Sequence, residues 1–282
     1  MVLDGKASSK KIIEALRLKL DSFVQEFGRP RFAIVQVGNN SASNLYISNK
    51  KSKAKKAGIE VDHFIFKEAE LAQAEKKIDD LNNNDDFHGI ILQLPVPEKF
   101  KFLVNKIKKE KDIDGLGLEN NADLIFQKPG LRSCTPSGVI SLLDINNIEI
   151  ANKHVAIVGR SNLVGKPLAL MMLGRDATVS ILHSKSDYSL LNQADIVVLC
   201  VGSAHFFKAE MFSSSAVVVD VGISFVNGKL AGDLSPCAYK HVSAYSPVPG
   251  GVGPMTIASL LKNVAYAFAK FNNLNVNDLK GF

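Results

Sequence analysis

Tyr46 and Lys50 lie four residues apart in a basic stretch that follows an apolar run ending in Gly38. On a helix, ~100° per residue leaves them only ~40° apart in azimuth, so a ring and an amine share one face, one turn apart. An amine can hold or move a proton when its surroundings set it apart from an ordinary solvated ammonium. Lys50, Lys51, Lys53, Lys55 and Lys56 crowd this stretch, which taken alone describes a solvated basic face. Other candidates come from later segments. Gln93 interrupts an apolar run just before Pro95 and Pro97. At the carboxyl end of a strand in a parallel sheet, its amide either faces a ligand or bonds a loop. Asp114 precedes Gly115 in an Asp-Gly pair that is also ordinary turn chemistry.

A second constellation is Gly159-Arg160-Ser161-Asn162-Leu163-Val164-Gly165-Lys166-Pro167, which follows an apolar run and opens a helical pattern. Strand, glycine turn and helix N-terminus together bind a dinucleotide pyrophosphate. Here Ser161 replaces the second glycine of the usual pattern and the next glycine comes one residue late. An NAD enzyme usually places an acid ~20 residues past the first glycine. This chain reads Leu182-His183-Ser184-Lys185-Ser186 there, with no acid before Asp187. Arg160 supplies a cation that suits a 2′-phosphate, so the pattern points to NADP. A third segment, residues 246–256, is rich in glycine and proline and precedes a long apolar helix. Its glycines let backbone approach a ligand, and it can equally serve as a hinge.

These residues need a frame to hold them. Helical periodicity runs from the start to residue 27, and Gly28-Arg29-Pro30 stops it. Strands are expected at 31–37, 61–66 and 89–95, with helices at about 41–57 and 71–81 between them. A charged helix is expected at 99–109, then an irregular stretch at 116–134. Thr135 reads as an N-cap with Pro136 at the first helical position. Further strands are expected at 154–158, 178–182, 196–201, 216–221 and, more weakly, 241–244, with a last helix at 257–271. Strands alternating with helices at this spacing imply parallel βαβ units, hence an α/β fold.

At 282 residues, 46% hydrophobic and 22% charged, the chain describes a soluble protein of two domains. No apolar run reaches the ~20 residues needed to span a bilayer, and no membrane partner is expected. The first residues run directly into a helical pattern without the regions of a signal peptide, so a cytoplasmic protein is expected. Cys134, Cys200 and Cys237 make neither a disulfide framework nor a zinc spacing, and no metal site is expected. Cys134, before a Thr-Pro turn, is the one candidate thiol; Cys200 reads as a small core residue. The net charge of +6 suits a phosphorylated cofactor or a polycarboxylate substrate. Dispersed lysines, no tryptophan and no aromatic-basic pattern argue against a nucleic-acid partner.

Taken together, the segments resemble the bifunctional methylenetetrahydrofolate dehydrogenase/methenyltetrahydrofolate cyclohydrolase family. The carriers are Tyr-x-x-x-Lys after a strand ending in Val-Gly, a Gln-Leu-Pro strand end, Lys-Asp-x-Asp-Gly, Cys-Thr-Pro-x-Gly, Gly-Arg-Ser-x-x-Val-Gly-x-Pro and Pro-Val-Pro-Gly-Gly-Val-Gly-Pro-Met-Thr. All occur in the family's order and span nearly the whole chain. Ser52, Ser133 and Leu116-Gly117-Leu118 depart from the usual family pattern.

The resemblance implies two α/β domains with a cleft between them. One is a folate-binding catalytic domain over 1–134 and 257–282, the other a Rossmann-like NADP-binding domain over 135–256. Lys50 is implied as the catalytic lysine, Tyr46 as the ring stacking on the folate, Gln93 as the lysine's partner and Asp114 as the anchor of the pterin. Leu92, Leu94, Pro247, Val248, Pro249, Gly250 and Gly251 are implied as further folate contacts. Gly159, Arg160, Ser161, Ser184 and Ile223 are implied for NADP, with Arg160 and Ser184 at the 2′-phosphate. Hydrolysis near neutral pH needs a lysine whose charged form is disfavoured, and burial beside another cation such as Lys53 has that effect. The family also implies tetrahydrofolate one-carbon derivatives as substrates and a homodimer. The competing readings are a relative retaining one of the two steps, or an NADP-binding module without catalysis.

Overall fold

The computed structural model describes residues 1–275 and divides into two compact units. One comprises Lys10–Cys134 with the segment from Ile257; the other comprises Met1–Ser9 with Thr135–Thr256.

In the unit that begins at Lys10, the greater part of α1 (Gly5–Asp21) and a single turn α2 (Val24–Phe27) lead into β1 (Arg31–Val37). Then come α3 (Ser41–Ala57), β2 (Glu60–Phe66), α4 (Leu71–Asn82) and β3 (Gly89–Gln93). The three strands form a parallel sheet in the order β2-β1-β3. Phe32, Ala33, Ile34 and Val35 of the central strand are all fully buried, which is why β1 reads as a continuous apolar run rather than an alternating one. One layer of core joins β1 and β3 to Ala74, Ile78 and Leu81 of α4 and to Phe100 and Leu103.

Three local expectations change. The first helix breaks at Ser22, whose hydroxyl and amide both bond the Lys19 carbonyl and compete with the helical ladder. The expected charged helix is a 3-10 segment over Glu98–Lys106, whose buried Phe100 and Leu103 sit at the i, i+3 spacing that a three-residue turn eclipses. Residues 116–134 are not wholly irregular: α5 (Leu118–Ile125) lies there, burying Asn120 and Leu124 one turn apart. With a polar residue as half of its buried face, it shows no apolar stripe.

The other unit holds α6 (Cys134–Ile145), β4 (His154–Val158), α7 (Gly165–Leu173), β5 (Thr178–Leu182), β6 (Ile196–Leu199) and β7 (Val217–Asp220). A small antiparallel hairpin follows, β8 (Ser224–Val226) and β9 (Lys229–Ala231), then β10 (Ala244–Tyr245) and the start of α8 (Val252–Phe271), which from Ile257 onward belongs to the first unit. The helix α6 begins at Cys134, so Thr135 lies inside its first turn rather than at a cap. The main sheet is parallel with order β10-β7-β6-β4-β5. The hairpin escapes sequence reading because its strands are three residues each; its Asn227-Gly228 turn, with both φ positive, is the visible trace.

Met1–Ser9 group with this second unit rather than with the rest of the N-terminal half. Leu3 N–H donates to the Tyr245 carbonyl at 2.8 Å and Tyr245 N–H to the Met1 carbonyl at 3.0 Å, so the first residues extend the sheet beside β10. No sequence periodicity marks a pairing between residues so far apart in the chain.

Candidate active site

The α3 helix buries Ser43, Ile47, Lys50, Ala54 and Ala57, at steps of four, three, four and three residues. That is the core stripe of an amphipathic helix, and a lysine occupies its middle. Lys50 is 4% exposed, whereas Lys51, Lys55 and Lys56 are exposed and Lys53 is half-buried. Of the five lysines, one is separated from solvent.

Lys50 Nζ donates to Gln93 Oε1 at 2.9 Å and lies 5.1 Å from the centroid of the Tyr46 ring. Both partners are neutral, and the amide oxygen accepts from the amine whether or not it carries the extra proton. Gln93 is held in turn, its Nε2 donating to the Leu94 carbonyl at 2.8 Å. The amide thus bonds both the lysine and the chain just beyond the strand end. Leu92 is 2% exposed within the core layer, so at this strand end it has backbone rather than side chain to offer a ligand. Leu94 is half-buried and begins the cis Leu94–Pro95 peptide.

Asp114 reaches the same neighbourhood from a separate turn. Cys134 is 3% exposed; burial first, then the Asp114 carboxylate, pushes its thiol well up, and Lys50 opposes that shift. The Cys134 thiol therefore senses both the acid and the amine. A thiol held protonated in this way is a poor nucleophile, which argues against catalysis by Cys134. Its Sγ donates to the Ile113 carbonyl at 3.3 Å.

The turn carrying Asp114 is fixed by residues that the sequence did not single out. Asp112, 2% exposed, accepts from Gly115 N–H at 3.1 Å, Gly117 N–H at 2.8 Å and Asn120 Nδ2 at 3.0 Å. Burial raises its carboxyl above the usual range, with the Asn120 and Gly117 donors pulling the other way. Asn263 of α8 donates to the carbonyls of Ile113 and Arg132, both at 2.8 Å. Lys111 caps the end of α4 by donating to the Leu81 and Asn84 carbonyls at 3.0 and 2.7 Å. Gly115 has φ +66°, and a Cβ there would stand 2.4 Å from the Arg132 backbone. Gln36, paired in register with Gln93, donates to the Gly38 carbonyl at 3.1 Å and to Asn44 Oδ1 at 2.8 Å, tying the strand end to the start of α3. The only sequence signal for Gln36 was a polar residue inside an apolar strand.

In the second unit, the connections after β4 and β6 flank the point where strand order reverses, with β5 on one side of β4 and β6 on the other. Open parallel sheets bind ligands at that point, beyond the strand carboxyl ends. Gly159 follows β4 with φ +132°, and a Cβ on it would meet Cys200 Sγ at 2.5 Å. Cys200, half-buried rather than fully in the core, lines this turn. A Cβ on Gly165 would stand 2.1 Å from the Gly159 carbonyl oxygen, so the late glycine lets α7 press against the turn. Arg160 and Ser184 each lie two residues beyond the register pair Val158 and Leu182, and both are exposed. Ser161 Oγ accepts from Val164 N–H at 3.1 Å, and Ile223 is 58% exposed after β7. A backbone cradle with no room for side chains and an adjacent exposed cation fits a dinucleotide carrying a 2′-phosphate.

The segment 247–251 belongs to this second unit as well. Gly251 N–H donates to the Pro247 carbonyl at 2.7 Å and Lys6 N–H to the Gly250 carbonyl at 3.0 Å, while Val248 and Pro249 join through a cis peptide. Val248 is half-buried and Pro249 exposed. Among the described residues no cluster of side chains could hold a metal ion.

Comparison with known proteins gives two family models that between them span both units. Residues 3–114 match the catalytic domain of tetrahydrofolate dehydrogenase/cyclohydrolase, and residues 133–272 match its NAD(P)-binding domain. The bifunctional protein FolD of Acholeplasma laidlawii is 40% identical over 276 residues, covering 96% of this chain and 99% of its own. The crystal structure of the bifunctional FolD methylenetetrahydrofolate dehydrogenase/cyclohydrolase from Campylobacter jejuni is similar at TM-score 0.91 and 37% identity, covering 96% of this chain and 99% of that one. The Trypanosoma brucei dehydrogenase-cyclohydrolase, solved with NADP cofactor and an inhibitor, is similar at TM-score 0.90 and 31% identity over 96% of this chain and 97% of that one.

Proposed function

The chain belongs to the tetrahydrofolate dehydrogenase/cyclohydrolase family, and from that membership we propose how its residues divide the work. It is a bifunctional enzyme of one-carbon folate metabolism. It oxidises 5,10-methylenetetrahydrofolate with NADP+ to the 5,10-methenyl cation, and hydrolyses that cation to 10-formyltetrahydrofolate.

Asp114 anchors the pterin, its two carboxylate oxygens accepting the two donors of the amino-pyrimidine edge. Tyr46 stacks on the folate ring, with Leu94 and the backbone at Leu92 beside it. Residues 247–251 are assigned to the folate on their motif. Gly159, Ser161 and Ile223 hold the cofactor, with Arg160 and Ser184 at its 2′-phosphate. NADP+ supplies the hydride acceptor, and the protein's part in that step is alignment.

In the second step water adds to the methenyl carbon and one of its protons is lost. The other ends on ring nitrogen N5 as the bond from that carbon to N5 breaks. Lys50 exchanges the proton, and Gln93 fixes the direction of its amine. The observation that carries this reading is a lysine in the core stripe of α3, shielded from water and bonded to an amide from a different strand.

Incubation of the protein with methylenetetrahydrofolate and NADP+ should yield NADPH and 10-formyltetrahydrofolate with little methenyl intermediate. Methenyl accumulating in step with NADPH would remove the cyclohydrolase, and a preference for NAD+ would remove the 2′-phosphate assignment. The reading extends to a homodimer, which rests on the family resemblance. A light-scattering mass of one chain would withdraw the dimer. No helix among the described residues is long and apolar enough to cross a membrane.

A further inference from the structure

Two buried carboxylates of the second unit take no part in the scheme above. Asp220, at the end of β7, is 1% exposed and Asp233 is fully buried. Buried carboxylates persist where hydrogen bonds replace their water, and both are served by backbone. Asp233 accepts from three successive amides: Val201 N–H at 2.8 Å, Gly202 N–H at 3.1 Å and Ser203 N–H at 2.6 Å. Asp220 accepts from Gly222 N–H at 3.0 Å, Asp233 N–H at 3.1 Å and Leu234 N–H at 2.8 Å. The second carboxylate thus holds the residue that carries the first. Neither has room to shift, since a Cβ on Gly222 would fall 2.1 Å from Asp233 and one on Gly232 2.1 Å from Asp220.

What they hold is specific. Residues 201–203 are exposed, yet their amides turn inward to the carboxylate. This segment leaves β6 immediately after Cys200, the residue against which Gly159 is packed. It is therefore the wall facing the Gly159 turn across the strand-order reversal. With Arg160 and Ser184 at the ends of β4 and β5, the adenine and 2′-phosphate half of the cofactor lies on that side. The nicotinamide half extends over β6 and β7.

We infer that Asp233, backed by Asp220, is a positioning residue for the nicotinamide half of NADP, fixing the wall after β6 against which that half is seated. The inference rests on the cofactor placement given above. An asparagine at 233 keeps the shape but turns an amide donor toward at least one of the three N–H groups, so the wall loses its single position.

The test compares binding of NADP+ with binding of adenosine 2′,5′-bisphosphate, which carries only the adenine half, and adds the hydrolysis of methenyltetrahydrofolate, which uses no cofactor. For Asp233→Asn, NADP+ affinity should fall about 10- to 100-fold while bisphosphate binding and hydrolysis stay within about twofold. Gly222→Ala, which displaces the carboxylate without removing its charge, should show the same split. Unchanged NADP+ affinity in both variants would overturn the inference. So would equal losses in all three readouts, since that pattern marks a general defect of folding. Failure of the unmodified protein to bind the bisphosphate would instead withdraw the 2′-phosphate placement, and Asp233→Asn would still be judged on NADP+ against hydrolysis.

Discussion

The two ligand sites of this enzyme are made of different materials. Around Lys50 the groups proposed to work are side chains: an amine, an amide and a ring from α3 and the end of β3, with the carboxylate of Asp114 from a separate turn. Around Gly159 the proposed contacts are close-packed glycine backbone without Cβ atoms, with one exposed guanidinium. A proton-transfer step needs a group that can gain and lose a proton, and only side chains offer one. Holding a pyrophosphate needs oriented donors at close range, which backbone supplies best. The contrast predicts that damage at the first site removes chemistry, whereas damage at the second alters cofactor affinity and spares hydrolysis.

The sharpest break in that contrast after Lys50 itself is Asp114→Ala. Removing both acceptors for the pterin should lower kcat/KM on the order of 10²-fold in both reactions, because both use the same folate. Steady-state kinetics with each substrate checks this, and loss of one activity alone would contradict the anchor role. Next comes Gly159→Ala, which places a methyl 2.5 Å from Cys200 Sγ at φ +132°. Dehydrogenase kcat/KM should fall by about tenfold or more and stability by roughly 1–3 kcal/mol, with hydrolysis kept below the new melting point. Arg160→Ala should cut the preference for NADP+ over NAD+ by about tenfold without affecting hydrolysis, read from paired KM values.

The smallest effect is a pH slope. Burial pushes the Asp220 carboxyl up to about 7 against the pull of the Leu234, Asp233 and Gly222 amides, and the neighbouring Asp233 raises it further. An aspartate in the unfolded chain ionises near the model value of 3.8, so between there and about 7 the unfolded state releases its proton first. The stabilisation is full below that lower value and is lost as pH rises to about 7, with a slope of at most about 1.4 kcal/mol per pH unit. Denaturant unfolding across this range should show the slope, and Asp220→Asn should flatten it. An unchanged slope in that variant would assign it to other groups.

The same contrast explains what the sequence disclosed. The strands 31–37 and 154–158 were legible to the residue because buried parallel strands are near-continuous apolar runs ended by glycine, proline or polar residues, and 178–182, a half-exposed edge strand, was legible from its β-branched residues. Tyr46, Lys50 and Gln93 were legible as types at a spacing, and the structure brings them together. That Lys50 differs from its four neighbours came instead from the structure, in the buried 43/47/50/54/57 stripe. Asp112, Asn263, Asp220 and Asp233 were not legible. Asn263, Asp220 and Asp233 bond backbone distant in the chain and Asp112 closes a turn on Gly115 and Gly117, and neither role leaves a periodicity. The helix α5 and the β8–β9 hairpin were hidden for a simpler reason, being too short or too polar to show a pattern.

One variant tests the central claim most directly. Lys50→Met keeps an unbranched side chain in the core stripe of α3 and removes the amine. Given methylenetetrahydrofolate and NADP+, it should still bind folate and form NADPH, but methenyltetrahydrofolate should accumulate as hydrolysis falls by about 10²- to 10⁴-fold. Hydrolysis at the unmodified rate by this variant would take the proton-transfer role away from Lys50.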